Sequence, residues 1–545
     1  MNKLNKYIST VRYLRPSQAF WRVASKLKSK KANTSLKFTK TVRDFSLVIP
    51  ELDCDEVFCK RFAPDGMIKK EVTFLNKTFQ ADYTLKAREV MKPLYRFNLY
   101  YFEYAVVLGA EYRRTGNPEY LQAFKGLYED YLTAKVKMHP YVISLHIPNI
   151  LIAMSLFGES LDKSFCQKIY NELFSQYKYL LTHLEKHLLA NHYFENLKAA
   201  VIASYLFKED DVCKKYMKKL QAQIKEQVLS DGVHFELSPM YHKIILEDLL
   251  RIAKLSEYED FPECKWLTCV IQKMLDAMAS MEKGFARTPL FNDSGDNVAK
   301  PAKCLEKACK SVLGIEPSYT DSLNSSGYYK LYDGNIAVMV DAGKIGPDYN
   351  PGHGHCDCLS FELCLNGEPI FVNSGTYEYQ GEMRKYFRST RAHNTLTVGN
   401  CEQSECWGEH RVARRIKKVS ARLNSNTLSG EYSNFAKEKH KRTFSLESRA
   451  LTVSDTVFTK RESAVHSYLH LADGFSCYKN ANEISVHDKN DNEVCKILPQ
   501  NCDCELHLSG ELCAYASEFG VLKQSACLEF IWKTDKNSHG YKIVF

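Results

Sequence analysis

The sequence predicts a chain in two parts, a helical first half followed by an antiparallel β half, and three observations predict it. Up to about residue 315 the apolar residues recur at helical spacing. After about residue 325 the spacing falls to two, the period of a strand. Between two such runs stands Asn366-Gly367, the pair favoured in a two-residue type I′ hairpin turn. At roughly 150 residues per domain, 545 residues would give about three or four units, but helical rings and β-sandwiches often exceed that size. Two large domains are therefore expected, 1–320 and 321–545.

In chain order, Gly116-Asn117-Pro118 opens a helix with Leu121, Phe124, Leu127, Tyr128, Tyr131 and Leu132 on one face, and proline suits its first turn. Cys213, Tyr216, Leu220, Ile224 and Val228 make a second stripe, ended by Ser230-Asp231-Gly232, and Ile244 to Leu255 makes a third. Helix, short turn, helix, repeated over about 250 residues, points to paired helices stacked as a solenoid or a closed toroid. In the second half Ile336 to Val340, Leu359 to Leu365 and Ile370 to Val372 read as strands. Asn394 to Val398, Leu446 to Val453, Ser467 to Leu471, Ile484 to His487 and Leu528 to Trp532 continue the pattern. Short strands separated by polar turns predict an antiparallel sandwich.

A composition of 45% hydrophobic and 26% charged residues excludes a disordered or collagen-like chain. The net charge of +9 fits a polyanionic partner without requiring one. The basic runs Lys26 to Lys31 and Arg411 to Lys418 are too short to imply nucleic acid, and the first reads as solvated surface. No stretch has the ~18 to 20 unbroken apolar residues of a membrane span. Met1 to Lys31 is charged throughout, without the apolar core of a secretory signal. The expected compartment is the cytoplasm, with the periplasm or cell envelope as the alternative. Nineteen cysteines, in spacings such as Cys356 with Cys358, lack the paired C-x2-C pattern of a structural zinc site and read as reduced thiols.

Three clusters could carry chemistry. In Pro351-Gly352-His353-Gly354-His355-Cys356-Asp357, strand alternation would place His353, His355 and Asp357 on the side of Leu359, Phe361 and Leu363, as a metal or anion site or as a hydrogen-bonded rim. In Asn191-His192-Tyr193-Phe194-Glu195-Asn196, Asn191 could cap a helix on which His192 and Glu195 share a face. Ser238-Pro239-Met240-Tyr241-His242 follows Asp231 to Glu236 and sets a tyrosine and a histidine beside a constrained turn. Each alone is compatible with a purely structural role. Specificity has to come from their combination.

In this order, and followed by Arg388-Ser389-Thr390-Arg391-Ala392-His393-Asn394-Thr395, the three clusters closely resemble the heparinase II/III family of polysaccharide lyases. The resemblance runs through Tyr13-Leu14-Arg15-Pro16-Ser17-Gln18, Arg96-Phe97-Asn98-Leu99-Tyr100-Tyr101-Phe102, Asn373-Ser374-Gly375-Thr376 and Trp407-Gly408, and thins after about residue 460. It implies an α/α toroid, an incomplete helical barrel, joined to a C-terminal antiparallel β-sandwich. It also implies cleavage of an acidic, uronate-containing polysaccharide by β-elimination, with capsule or O-antigen metabolism as one setting. That reaction removes the proton on carbon 5 beside a carboxylate, so donors must neutralise the carboxylate while a base and an acid act.

By resemblance the catalytic positions are Tyr241, His192, His353 and Asn191. The substrate-binding positions are Glu195, Arg388, Asn98, Tyr101 and His242, Arg388 because its planar fork can hold a carboxylate. Some members hold a divalent metal, most often zinc, at positions that fall on His355, Asn373 and His393. Asparagine stands here where aspartate is usual, and loss of that anion should weaken the site. No organic cofactor is implied. Met138-His139-Pro140-Tyr141 is less aromatic than the matching family segment. A noncatalytic carbohydrate-binding protein that assists surface polysaccharide assembly is the alternative. An inverting glycosidase using Glu195, Glu236 or Asp293 would need two carboxylates roughly 6.5 to 9.5 Å apart. The sequence does not give the oligomeric state.

Overall fold

The computed structural model describes residues 3–27, 36–83, 91–134, 136, 139–399, 401–535 and 537–545. Lys28 to Lys31 of the first basic run, and Met138, lie outside them.

The helical half alternates two kinds of helix. Pro140–Phe157, Ala190–Leu206 and Pro239–Leu255 are buried on nearly every side. Pro118–Ala134, Lys163–Thr182 and Asp210–Gln227 bury one stripe and expose the other. A helix apolar all round belongs inside and an amphipathic one outside. The alternation therefore gives an inner ring backed by an outer one, an α/α toroid. Residue types set the helix starts: Pro118, Pro140 and Pro239 occupy first turns, Asp162 accepts from the Phe165 amide at 2.8 Å, and Ser238 accepts from the Tyr241 amide at 3.2 Å. The predicted stripes fall on these helices, with Leu121, Phe124, Leu127 and Tyr128 all buried. A small hairpin, Glu71–Phe74 with Lys77–Gln80, interrupts the helical half and has no counterpart in the expected pattern. The segment Pro140–Ser160 is long and apolar enough, by length and composition alone, to cross a bilayer; here 72% of it is buried among the other helices.

From Ser322 the chain is antiparallel sheet. Five strands, Ser322–Leu323, Tyr328–Asp333, Ile336–Asp341, Ser360–Leu365 and Glu368–Phe371, follow in sequence order. A bridge from Phe371 to Leu471 joins them to a second sheet containing Leu396–Val398, Ala464–His470, Cys527–Lys533 and Asp503–His507. An eight-stranded sheet forms the third group of strands. Leu331, Val338, Phe361, Phe444, Val453, Leu528 and Ile543, drawn from all three sheets, share one buried core, as a sandwich requires. Asn366 and Gly367 both have positive φ, 54° and 83°, as the type I′ turn demands. Two expectations need correction. Leu446 to Val453 is not one strand but spans the turn at Ser448-Arg449 between Lys439–Glu447 and Ala450–Phe458. Residues 351–359 are not strand either; the strand begins at Ser360, after Leu359 at φ 58°.

Candidate active site

A cavity of about 520 Å³ opens where the first turns of the inner helices meet the loop 350–353. Asn191, His192 and Glu195 line it from Ala190–Leu206, Tyr241 from Pro239–Leu255, Asn98 and Tyr101 from Pro93–Tyr101, and His353 from the loop. The setting of Asn191, His192 and Tyr241 on first turns follows from the sequence: Ser238-Pro239 caps and starts one helix, and Leu189-Ala190 starts the other. Leu189 and Ala190 both hold positive φ, 61° and 51°, unusual for residues other than glycine. Such strain costs on the order of 1 to 3 kcal/mol per residue and gathers at functional sites. Asn191 does not cap its helix as expected; the cap position is Leu189, and Asn191 lines the cavity while its backbone N–H donates to Glu236 at 3.3 Å.

The rings of Tyr241 and His353 lie against one another, with centroids 4.1 Å apart. The Tyr241 hydroxyl shares a hydrogen bond of 2.9 Å with that of Tyr379. Burial raises the Tyr241 phenol above its ordinary value, with the nearby anions Asp293 and Glu236 adding to the rise, so it keeps its proton. The His192 ring lies against that of Tyr141, tilted by 34° with centroids 4.3 Å apart, and its Nδ1 sits 3.2 Å from Glu185. Burial opposes its charged form, yet the Glu185 carboxylate outweighs this and the ring is raised above the usual histidine value. Glu195 pairs with Lys198 at 2.6 Å, and Lys198 also meets Asp248.

Asp293 fixes the loop side. It is fully buried and accepts from His353 Nδ1 at 2.9 Å, His355 Nε2 at 2.8 Å and both terminal nitrogens of Arg384. Burial alone would favour its neutral form, but Arg384 and the two histidines hold it well below the ordinary carboxylate range. An ionised carboxylate only accepts, so His353 carries a proton on Nδ1, which directs any basic lone pair of the ring to Nε2. Nε2 stands 3.9 Å from Glu236 Oε2. Sequence reasoning weighed Asp293 only as a glycosidase acid, and its full burial removes it from that reaction. Tyr379, Tyr141 and Glu185 were likewise missed as parts of the site.

Two expected substrate contacts lie elsewhere. Arg388 is 1% exposed and spends its guanidinium on the carbonyls of Gly354, Pro351 and Glu409, cradling the loop rather than a ligand. His242 is buried, donates to the Met274 carbonyl at 2.8 Å and accepts from the His234 amide at 3.1 Å. Burial lowers it to about 4, so it is a neutral packing residue. The loop itself needs Gly354, where a Cβ would fall 2.2 Å from the Ile345 carbonyl oxygen.

The expected metal ligands His355, Asn373 and His393 are buried, with the two rings 5.3 Å apart. His355 Nδ1 and His393 Nε2 have no hydrogen-bond partner among the described residues, which suits a metal. The third donor does not fit. The Asn373 amide oxygen already accepts from the Asn394 amide at 3.3 Å and meets His393 Nδ1 at 3.2 Å. Arg384 and Arg388 press positive charge on His355. Two neutral imidazoles and an occupied carboxamide make a poor divalent site. Among the described residues, the cluster of histidine and carboxylates with ligand atoms in mutual reach is Glu505, His507 and Glu529.

Family models bear on the whole arrangement. The one described as Heparinase II/III N-terminus matches residues 9–313, and that described as Heparinase II/III-like, C-terminal matches residues 316–525. A heparin-sulfate lyase of Pedobacter heparinus is 26% identical over 351 residues, 56% of this chain and 52% of that protein. One from Bacteroides stercoris is 30% identical over 210 residues, 33% of this chain and 31% of its own length. The chain thus spans about half, or less, of these curated relatives. In fold it is similar to a crystal structure of heparinase III, with a TM-score of 0.70 at 15% identity over 97% of this chain and 89% of that one. The heparan sulfate lyase of Pedobacter heparinus superposes with a TM-score of 0.56 at 18% identity, over 97% and 87%. With toroid, sandwich and junction loop in the order the two family models require, the chain belongs to the heparinase II/III family.

Proposed function

We propose that the chain is a lyase that cleaves an acidic, uronate-containing glycosaminoglycan by β-elimination. The observation that carries this reading is the contact of the Tyr241 phenol with the His353 imidazole in the cavity wall, the imidazole held through Nδ1 by Asp293. His353 Nε2 takes the proton from carbon 5 of the uronate. The electron pair left behind forms the double bond between carbons 4 and 5, the bond from carbon 4 to the glycosidic oxygen breaks, and Tyr241 gives that oxygen its proton. No oxidant or reductant is needed. The raised phenol suits an acid better than a base.

The uronate carboxylate takes up negative charge as the carbon 5 proton leaves. His192, whose charged form Glu185 favours, and the Asn191 side-chain amide are placed to neutralise it, and both stand at a helix N-terminus, which favours anions. One well-placed donor of this kind is worth about 2.7 to 4 kcal/mol.

Incubating the full chain with sulfated and unsulfated glycosaminoglycans and with polyuronates tests the reading. Elimination creates an unsaturated uronate whose ultraviolet absorbance grows with time. Absence of that signal across the panel, with binding retained, would instead support a carbohydrate-binding protein.

A further inference from the structure

On the sheet containing Asp503–His507, Cys527–Lys533 and Ala464–His470, three adjacent strands bring four chemistry-bearing side chains together. Glu505 and Glu529 are register partners, directly opposite one another. Like charges in that position destabilise an antiparallel pair. His507 Nε2 lies 2.8 Å from one Glu529 oxygen and 4.0 Å from Glu505 Oε2. His466 Nδ1, from the third strand, lies 2.8 Å from the other Glu529 oxygen. The side chains of His466 and His507 are 28% and 27% exposed, so an ion can reach them with part of its water.

We propose that His507, Glu529 and Glu505 form a binding site for a divalent first-row transition ion of the zinc class, with His466 orienting Glu529 from the neighbouring strand. One imidazole nitrogen and two carboxylates suit such an ion, and water completes its coordination. A histidine bonded to a ligating carboxylate is the outer partner that such sites use to fix ligand geometry. The ion converts the repulsion between Glu505 and Glu529 into attraction and ties the outer strand to the sheet. The site is separate from His355 and His393 and from the cavity.

Zinc titrated calorimetrically into the chelator-treated full chain tests the proposal, with thermal unfolding as a second readout. The expected result is uptake at a site that His507→Ala and Glu505→Gln each weaken more than about tenfold, the least that loss of an outer partner alone costs. Free zinc should also raise the Tm of the unaltered chain, because an ion bound only by the folded state stabilises it, and should raise it less in the two variants. Glu505 is 62% exposed in its side chain, so its variant leaves the core untouched. His393→Ala, at the buried histidine pair, should leave this uptake unchanged. Failure of the unaltered chain to take up zinc would overturn the proposal, as would uptake insensitive to both variants or abolished by His393→Ala alone.

Discussion

Tyr241 and His192 stand on the first turns of two long inner helices, whereas His353 stands on an irregular loop of the β half. The helical side obtains its precision from backbone hydrogen bonds and caps. The loop side obtains its own from buried charge: Asp293 holds the two histidines and Arg384, while Arg388 gathers the loop carbonyls. A helix end tolerates the loss of one contact because the ladder beneath it persists. A histidine on a loop, oriented through its ring by one buried carboxylate, does not, and its failure should be abrupt.

The largest expected effect tests that difference directly. Asp293→Asn should lower kcat by about 10² to 10⁴-fold through loss of the oriented base. It should also cost roughly 3 to 5 kcal/mol of stability, because Arg384 is left buried without its counter-charge. Denaturant unfolding and initial rates read the two losses separately. On the helical side, Tyr241→Phe should reduce kcat by a similar factor of about 10² to 10⁴ while KM and the unfolding midpoint hold, since only one proton donor is lost.

The pH dependence separates the two sides again. Asp293 is depressed in the folded chain, so its stabilisation is fully present above the unfolded carboxylate value of about 3.9 and is lost as pH falls below it. His192 is raised, so its contribution is complete below the unfolded value of about 6.5 and disappears as pH rises through the folded one. If the imidazolium holds the uronate carboxylate, kcat/KM should fall on the alkaline side above that value. Glu185→Gln should move this limb to lower pH, and an unmoved limb would take His192 out of the charged role.

The smallest expected effect concerns strain. Ala190→Gly should relax the positive φ and change stability by less than about 1 kcal/mol, because glycine accepts that conformation but loses more chain entropy on folding. The first turn bearing His192 would loosen, and KM should rise only slightly.

Much of the fold was legible because it rests on local rules. The stripe from Leu121 to Tyr131, the proline starts and the Asn366-Gly367 turn are each written within a few residues. Leu446 to Val453 failed because alternation continues on both sides of a tight turn, and only the positive φ of Ser448 and Arg449 marks the break. His353 reads as strand in the sequence because an irregular loop can imitate a period of two over five residues. In the site, Asn191, His192, Tyr241 and His353 are legible in the sequence, whereas Tyr379 in the cavity wall and the groups that hold these residues are not. Asp293 lies 60 residues from His353 and 91 from Arg384, and no local spacing announces that contact. Arg388 has the chemistry of a carboxylate clamp, and only its burial shows that carbonyls occupy it.

Asp293 belongs to the stretch just before the last helix of the toroid, while every side chain that its carboxylate grips comes from after residue 350. A fragment ending at Leu313 would keep the phenol and the carboxylate but have no ring for that carboxylate to steer. The remainder would keep the ring with nothing to set its tautomer. If the proposed elimination holds, recovery of turnover on mixing two such fragments would report their docking, which makes the chain its own sensor for reassembly.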